Sequence, residues 1–269
     1  MAANFRPVYP YIAMISLGLD IGSRNTKLAI FDHGSQTLVF SAWQVTDIDP
    51  LISVNTLLDK ALRATNLELA DFAGRAATGY GRKLWKAASR VLSEISCHAA
   101  GTHYHFPDVR SVVDVGGQDS KIICLSEAAK VLDFSMNDKC AAGTGRFLEM
   151  TAIRLGVSVD LLAGLASQAT AELALNSTCV VFAESEIISL MAAGESAANI
   201  ARAVHRSVAR RVFSQLASLD HHPPYAFTGG VAQNADLACC LRDELQAPMA
   251  IPPDPEITGA LGAAILAVK

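Results

Sequence analysis

The chain has 269 residues, which is enough for one large domain or two of ordinary size. Hydrophobic residues make up 51% of it and charged residues 18%, a balance typical of a packed globular protein and not of a disordered one. A net charge of -4 leaves no basic face for nucleic acid, and no lysine or arginine cluster lies beside an apolar stretch to hold an anionic membrane. We therefore expect neither nucleic acid nor a membrane as a partner.

The apolar stretch near the N-terminus, residues 8–19, is interrupted by Pro10 and is too short to span a bilayer. It leads into Asp20 as a strand would, instead of ending at a signal-peptide cleavage site, so we expect a cytoplasmic protein. We assign residues 1–14 as an N-terminal extension. Six cysteines in an intracellular chain of this size are expected to be free, metal-bound or reactive, and not paired in disulfides.

The first half of the chain is predicted to be a β-meander followed by alternating strands and helices. Strands are expected at residues 14–19, 27–31, 37–44, 73–78 and 111–115. Pro50 suits the first position of a helix, and helical patterning returns at about 94–105.

From Asp114 the pattern begins again, with strand-like runs at 121–125 and 131–134. Helices are predicted at about 144–155, 159–168, 183–193, 197–218, 232–245 and 258–268. Two halves with the same hairpin opening predict a duplicated α/β fold with a cleft between two lobes. We assign residues 15–115 to lobe I and 116–254 to lobe II, and we expect the C-terminal helix, 255–269, to pack back on lobe I.

The first candidate site follows the first strand, in the segment Asp20-Ile21-Gly22-Ser23-Arg24-Asn25-Thr26-Lys27. A tight glycine turn exposes backbone N–H groups to phosphate oxygens, a strand-end aspartate can hold hydrated Mg²⁺, and a lysine can balance phosphate charge. Taken alone, such a turn is more often an ordinary hairpin.

Two further glycine turns follow in the second half. Asp114-Val115-Gly116-Gly117-Gln118-Asp119 repeats the design, with a second strand-end carboxylate that can orient a metal-bound or attacking water. Thr228-Gly229-Gly230-Val231-Ala232-Gln233-Asn234 places a helix N-terminus after a strand, where it could face a nucleotide. Three such turns in order indicate a nucleotide site more strongly than any one of them.

The three segments resemble the phosphate 1, phosphate 2 and adenosine elements of the acetate and sugar kinase, Hsp70 and actin superfamily. The resemblance implies an α/β, actin-like ATPase fold of two ribonuclease H-like lobes, with ATP or ADP and Mg²⁺ bound in the interlobe cleft. It assigns catalytic roles to Asp20, Asp114 and Gln118, with both aspartates holding Mg²⁺ through water. It assigns phosphate or nucleoside binding to Gly22, Ser23, Arg24, Lys27, Gly116, Gly117, Gln118, Gly229, Gly230, Gln233, Asn234 and Gly259. Arg24 stands where these loops more often have a small residue.

Two cysteines lie in unusual sequence surroundings. Cys140 precedes a glycine-rich turn that leads into a predicted helix, and Cys179 comes just before another helix. A helix N-terminus favours a thiolate and stabilises the negative charge of a thiolate-ligated cluster. The alternative for either cysteine is a small buried core residue.

A cubane cluster needs four protein ligands, and one chain offers only two in such positions. A twofold dimer that brings Cys140 and Cys179 of each chain to its axis would supply four thiolates. The sequence therefore leaves a shared cluster and two core cysteines as alternatives.

The segment Asn137-Asp138-Lys139-Cys140-Ala141-Ala142-Gly143-Thr144-Gly145-Arg146-Phe147 resembles the ATP-dependent activators of 2-hydroxyacyl-CoA dehydratases, and the similarity covers nearly the whole chain from about residue 15. The resemblance implies an ATPase homodimer with one [4Fe–4S] cluster on Cys140 and Cys179 of both chains, and cofactor contacts from Gly143 and Gly145. It also implies ferredoxin or flavodoxin as electron donor and a cluster-containing dehydratase or reductase as acceptor. Reductases of benzoyl-CoA and of double-cubane cluster proteins share these motifs, so the partner stays open.

The sequence has two alternatives from other function classes. A small-molecule kinase on the same scaffold would need a substrate pocket and a catalytic base, for which no motif is found. A nucleotide-gated chaperone would need a separate peptide-binding domain. The row His205, Arg206, Arg210 and Arg211 is expected to be the solvated face of an amphipathic helix, and Cys97-His98 to pack or line the cleft.

Overall fold

The structure is a computed structural model and describes residues 14–175 and 179–268. The ten strands of this part are β1 (Ile15–Ile21), β2 (Asn25–Asp32), β3 (Thr37–Val45), β4 (Gly74–Thr78), β5 (Arg90–Val91), β6 (Ser111–Val115), β7 (Ser120–Leu125), β8 (Val131–Asn137), β9 (Tyr225–Thr228) and β10 (Met249–Ala250). Its eight α-helices are α1 (Pro50–Thr65), α2 (Glu94–His105), α3 (Gly145–Leu155), α4 (Leu162–Ala166), α5 (Val180–Ala192), α6 (Ala197–Leu216), α7 (Ala235–Leu245) and α8 (Thr258–Leu266).

The described chain divides into two compact units. The first contains residues 14–101 and 257–268, and the second contains 102–175 and 179–256. Strand β6 pairs with β7 and β9, so it lies in the second unit, although we had assigned residues 111–115 to lobe I. It is buried along its whole length, and a strand buried on both faces needs neighbours on both edges, which β7 and β9 provide.

The first unit is built on a five-stranded sheet in the order β3-β2-β1-β4-β5. Strand β1 runs antiparallel to β2 and parallel to β4, and this register sets Asp20 opposite Lys27 on one side and Thr78 on the other. Helix α1 starts at Pro50, and the side chain of Asp49 accepts a hydrogen bond from the Leu51 N–H, as an N-cap should.

Helix α8 packs on the same sheet. The approach is close at Gly18, where a Cβ would lie 2.1 Å from the Ala260 carbonyl oxygen. The helix is made largely of alanine and glycine, which lets its backbone come near strand β1. The end of the chain thereby completes the first unit.

The second unit repeats this topology in its own sheet, ordered β10-β9-β6-β7-β8. Strand β6 runs antiparallel to β7 and parallel to β9, which sets Asp114 opposite Lys121 and Thr228. The strand order, directions and register match those of the first sheet position by position. The duplication predicted from the two hairpin openings is confirmed.

The helices of the second unit follow the predicted pattern with shifted ends. Helix α5 begins at Val180, three residues earlier than predicted, so Cys179 is its N-cap. Helix α7 begins at Ala235 because Asn234 caps it. The helix predicted at 159–168 is a 3₁₀ turn, Val159–Leu161, followed by the short α4. Across residues 14–175 and 179–268, each helix is too short or too polar to cross a bilayer.

Candidate functional site

Asp20 ends the first central strand with its carboxylate beside a lysine. Lys27, its cross-strand partner, donates from Nζ to Asp20 Oδ2 at 3.1 Å, and the two side chains are 16% and 7% exposed. The sequence predicts that Asp20 binds Mg²⁺ and that Lys27 binds phosphate, and the structure places the two side chains in contact. A carboxylate with one lysine partner at the edge of solvent can exchange that partner for a hydrated cation.

Two glycines from other elements close around Asp20. Gly79 has φ +88°, and a Cβ there would lie 2.5 Å from Asp20 Oδ1. A Cβ at Gly259 would lie 3.1 Å from Asp20 Oδ2 and 2.9 Å from Nε2 of the buried His98. Gly259, to which the resemblance assigned phosphate or nucleoside binding, thus lies in the first unit against the Asp20 carboxylate.

The turn after Asp20 is tight and partly open to solvent. The Gly22 N–H donates to the Asn25 carbonyl at 3.2 Å, and the Gly22 carbonyl accepts a hydrogen bond from the Thr46 hydroxyl at 2.9 Å. Ser23 and Arg24 are exposed at the tip. Their backbone and side chains are therefore accessible to a phosphate, as predicted for this segment.

Asp114 is the counterpart of Asp20 in the second sheet, and it is more enclosed. The Thr228 hydroxyl donates to Asp114 Oδ1 at 2.9 Å, and Lys121 Nζ lies 3.4 Å from Oδ2. Lys121 is 3% exposed and also donates to Asp119 Oδ2 at 2.7 Å. Gln118, two residues before this lysine's strand begins, is exposed and free to turn outward.

The glycine turn of the second unit rests on the start of α3. The Gly145 and Arg146 N–H groups donate to the carbonyls of Gly116 and Gly117 at 2.9 and 2.8 Å. The structure thus brings together Gly116, Gly117 and Gly145, three of the predicted cofactor-binding residues. Because those two helix N–H groups are used by the turn, they hold it in place and do not themselves face a phosphate.

The third predicted turn begins at Gly229, whose φ is +85° and where a Cβ would lie 2.3 Å from the Val115 carbonyl oxygen. Gly230 lies beside the buried Glu256, and Gln233 donates from Nε2 to Glu256 Oε2 at 3.3 Å. The turn is therefore held against β6 at one end and against Glu256 at the other.

Asn234 has a capping role. Its Oδ1 accepts a hydrogen bond from the Leu237 N–H at 2.9 Å, and its Nδ2 lies 3.0 Å from His205 Nε2. Both polar atoms are in use within the second unit. We therefore conclude that Asn234 caps the start of α7. The nucleoside role that the resemblance implies for it stays a prediction.

Cys140 is the N-cap of a 3₁₀ turn, Ala141–Gly143, and this turn separates it from the start of α3. The side chain of Asn137 bonds both of its backbone groups: Nδ2 donates to the Cys140 carbonyl at 2.8 Å, and Oδ1 accepts from its N–H at 3.1 Å. On the sulfur side, Arg211 Nη2 donates to Sγ at 3.2 Å. The guanidinium of Arg211 therefore places a positive charge next to this sulfur, in addition to any effect of a helix dipole.

Cys179 is the N-cap of the 13-residue helix α5 and is partly exposed, like Cys140. Near the start of this helix, Val181 and Phe182 expose 67% and 69% of their surface. The sequence predicts a helix just after this cysteine, and α5 begins at the next residue, Val180. Ser177 and Thr178, which precede this cysteine in the motif, lie outside the described residues.

The other cysteines are positioned differently. Cys97, Cys124 and Cys240 are buried, and Cys239 is exposed on α7. Burial raises the pKa of the Cys97 thiol to about 12 and that of Cys240 to about 11. Among residues 14–175 and 179–268, no three His, Cys, Asp or Glu side chains come together as a metal site within one chain.

The row on α6 is not the single solvated face that we expected. His205 is fully buried, with Nδ1 2.6 Å from Asp236 Oδ2, because α6 packs on α7 along that side. Arg211 points to Cys140 instead of to water. Arg210, whose side chain is 62% exposed, is the member of the row that lies mainly in solvent as expected.

Three residues that contact the predicted sites were not predicted from the sequence: Lys121, Gly79 and Arg211. For Lys121 a signal was present, since a lysine follows the aspartate by seven residues in both hairpins, as Lys27 follows Asp20. Gly79 follows a threonine in the same way as Gly229 does. Nothing in the sequence links Arg211 to Cys140, 71 residues away.

Comparison with known proteins gives a family. Residues 17–267 match the BadF/BadG/BcrA/BcrD ATPase family. The activator of lactoyl-CoA dehydratase from Anaerotignum propionicum is 41% identical over 256 residues, which cover 95% of this chain and 98% of that protein. The (R)-2-hydroxyglutaryl-CoA dehydratase activating ATPase of Acidaminococcus fermentans is 40% identical over 261 residues, covering 96% and 98%.

A solved structure is similar along the same length. It is the activator of the 2-hydroxyisocaproyl-CoA dehydratase from Clostridium difficile with bound ADPNP, which aligns with a TM-score of 0.90 at 36% identity. The alignment covers 95% of this chain and 94% of that one. The resemblance inferred from the motifs is confirmed: the chain has the duplicated α/β fold of actin-like ATPases and belongs to the BadF/BadG/BcrA/BcrD ATPase family.

Proposed function

We propose that this protein is an ATP-hydrolysing electron donor that activates a partner 2-hydroxyacyl-CoA dehydratase. The observation that carries the proposal is the pair Cys140 and Cys179, two partly exposed cysteines that each begin a helical segment in the second unit of a family ATPase. A sugar or acid kinase of the same fold has no use for two such sulfurs.

ATP is assigned to the two strand-end turns. In the first unit, Asp20 would hold Mg²⁺ through water, and Lys27 with the Gly22 turn would bind phosphate oxygens. In the second, Asp114 and the exposed Gln118 orient the attacking water. The support for these roles is that each carboxylate lies beside a lysine at the end of a central strand, next to a glycine turn.

The cysteines fit half of a cubane site. Both cysteines are partly exposed, and Cys140 accepts a hydrogen bond from a cation, which suits a negatively charged ligand. Two thiolates per chain are half the number needed, so a homodimer in which each chain contributes two is proposed. A [4Fe–4S] cluster held there would supply one electron at low potential, received from ferredoxin or flavodoxin.

The test is iron and acid-labile sulfide after strictly anaerobic purification, together with the molecular mass in solution. We expect about four iron and four sulfide per dimer. Cys140→Ala and Cys179→Ala should each lose the iron while still binding ATP. Cys239→Ala is the matched control, since this exposed cysteine lies on α7 and should leave the iron content unchanged.

Two results would contradict the proposal. A wild-type protein without iron after anaerobic reconstitution, whose ATP hydrolysis rises with a sugar, acid or polyol, would contradict electron transfer and favour a kinase. A Cys179→Ala protein with full iron would remove that cysteine from the site.

A further inference from the structure

The position of Cys140 is fixed by side chains from two other elements. Asn137, the last residue of β8, bonds both backbone groups of Cys140, at 2.8 and 3.1 Å. These two bonds fix the peptide units on either side of the cysteine. The direction in which its sulfur leaves the backbone is therefore largely set by Asn137.

Arg211, on α6, reaches the sulfur itself. Its Nη2 donates to Cys140 Sγ at 3.2 Å, inside the range for a hydrogen bond to sulfur. Its stem passes Gly143, where a Cβ would lie 3.5 Å from Arg211 Cδ. Gly143 was predicted to contact a cofactor directly; the structure shows that it also borders the arginine that bonds Cys140.

Two other arginines of the same helix have different partners. Arg206 pairs with Glu172 at 2.7 Å, and Arg210 pairs with Glu244 at 3.3 Å. All three line one cavity of about 560 Å³ in the second unit, together with Asn137 and Ala142. Their charges are alike, so Arg206 and Arg210 separate the effect of a nearby cation from that of a hydrogen bond to the sulfur.

We propose that Arg211 is a positioning residue for the cluster ligand Cys140, holding its sulfur by a charge-assisted hydrogen bond and thereby setting the reduction potential of the bound cluster. The inference rests on the proposed function, because it presupposes the cluster. A hydrogen bond and a positive charge at a ligating sulfur stabilise the reduced, more negative state and so raise the potential.

The sign of the expected change follows from that charge. Replacing Arg211 by a neutral side chain removes the stabilisation of the reduced state, so the midpoint potential should become more negative. We expect a change of about tenfold in the reduction equilibrium, which is about 59 mV for one electron. Lysine keeps the charge but loses the planar fork of donors, so it should restore only part of the shift.

The experiment compares anaerobically purified wild type, Arg211→Gln, Arg211→Lys and Arg210→Gln. The readouts are iron and sulfide content, the electron paramagnetic resonance spectrum of the reduced protein, and the midpoint potential by dye-mediated titration. We expect a lower potential and an altered spectrum in Arg211→Gln, an intermediate potential in Arg211→Lys, and wild-type values in Arg210→Gln.

The results separate the two proposals. Wild type without iron removes the proposed function, whatever the variants do. If wild type contains a cluster and the Arg211 variants have the same midpoint potential and spectrum as wild type, only the role of Arg211 is overturned. If Arg211→Gln loses iron but unfolds at the same temperature as Arg210→Gln, the arginine is needed to keep Cys140 as a ligand, which supports the inference. If Arg211→Gln does not fold, the Arg211→Lys protein provides the test. A midpoint potential equal to that of wild type would then contradict the role of Arg211.

Discussion

Asp20 and Asp114 hold the same position in two sheets of identical topology, yet their surroundings differ. Asp114 is 2% exposed and is bonded by both Thr228 and Lys121. Asp20 is 7% exposed and bonded by Lys27, while Thr78, the counterpart of Thr228, donates to the Leu92 carbonyl at 3.2 Å instead. Duplication has kept the strands, the aspartates and their lysine partners, but not the hydrogen bond from the threonine to the carboxylate.

The difference indicates a division of work between the two carboxylates. A buried carboxylate with a buried lysine and a hydroxyl donor is held rigidly, and it is costly to disturb. A carboxylate with one lysine near solvent can exchange that partner for a hydrated cation at lower cost. We therefore expect Asp114 to contribute to both stability and catalysis, and Asp20 mainly to catalysis.

Replacing the two lysines should test the difference between the two carboxylates most clearly. Lys121→Met leaves the buried Asp114 without its cation, so we expect a loss of about 3–5 kcal/mol in the free energy of unfolding. Lys27→Met, the matched change in the first unit, should cost about 1–2 kcal/mol because that pair keeps contact with water. Urea unfolding measures both, and equal losses would mean that the two pairs are energetically alike.

The aspartates should separate activity from stability. Asp20→Asn should lower kcat for ATP hydrolysis about 100-fold, the usual scale for losing one charge-stabilising group, and should lower the unfolding temperature only slightly, because it breaks the Asp20–Lys27 pair alone. Asp114→Asn should lower both strongly, because Thr228 and Lys121 then face a neutral partner. An Asp20→Asn protein destabilised as much as Asp114→Asn would contradict the division of work.

The threonines give a smaller and sharper contrast. Thr228→Val removes a donor to a buried carboxylate and should cost about 2–3 kcal/mol. Thr78→Val removes a donor to a carbonyl and should cost about 1 kcal/mol. Both are read from urea unfolding, and a larger loss for Thr78→Val would reverse the order that we infer from the hydrogen bonds.

A third carboxylate of the second unit predicts a dependence on pH. Burial acts to raise the pKa of Asp236, but the hydrogen bond to His205 and the nearby Arg202 outweigh it and lower that pKa below its usual value. A lowered pKa in the folded state stabilises the protein above the unfolded value of about 3.9, and this contribution disappears as the pH falls through the folded pKa. Asp236→Asn should therefore flatten the loss of stability below about pH 4, measured by thermal unfolding. An unchanged pH profile would show that Asp236 is not responsible.

The fold was largely predictable because its signals are local and repeated. Short alternating strands followed by Asp-x-Gly turns mark β1 and β6, and the apolar periodicity marks helices such as α1 and α6. The strand at 111–115 lies in the second unit, and its parallel partner β9 follows it by more than a hundred residues. Pairing at that distance leaves no trace in a local pattern.

The candidate site was predictable in its backbone and less so in its side chains. Gly22, Gly116 and Gly229 were found because turns depend on residue type and spacing. The bond from Arg211 to Cys140 depends on how α6 packs, which the sequence does not reveal. The same packing buries His205, whose place in a charged row had indicated solvent.

The most direct test of the whole account is anaerobic activation of a purified 2-hydroxyacyl-CoA dehydratase by this protein, with and without ATP, in the presence of reduced ferredoxin or flavodoxin. We predict dehydratase activity that needs both ATP and the protein and is absent with Cys179→Ala, whereas Cys239→Ala remains active. Activation that proceeds equally well without ATP, or with the Cys179→Ala protein, would contradict the claim that ATP hydrolysis drives an electron through these cysteines.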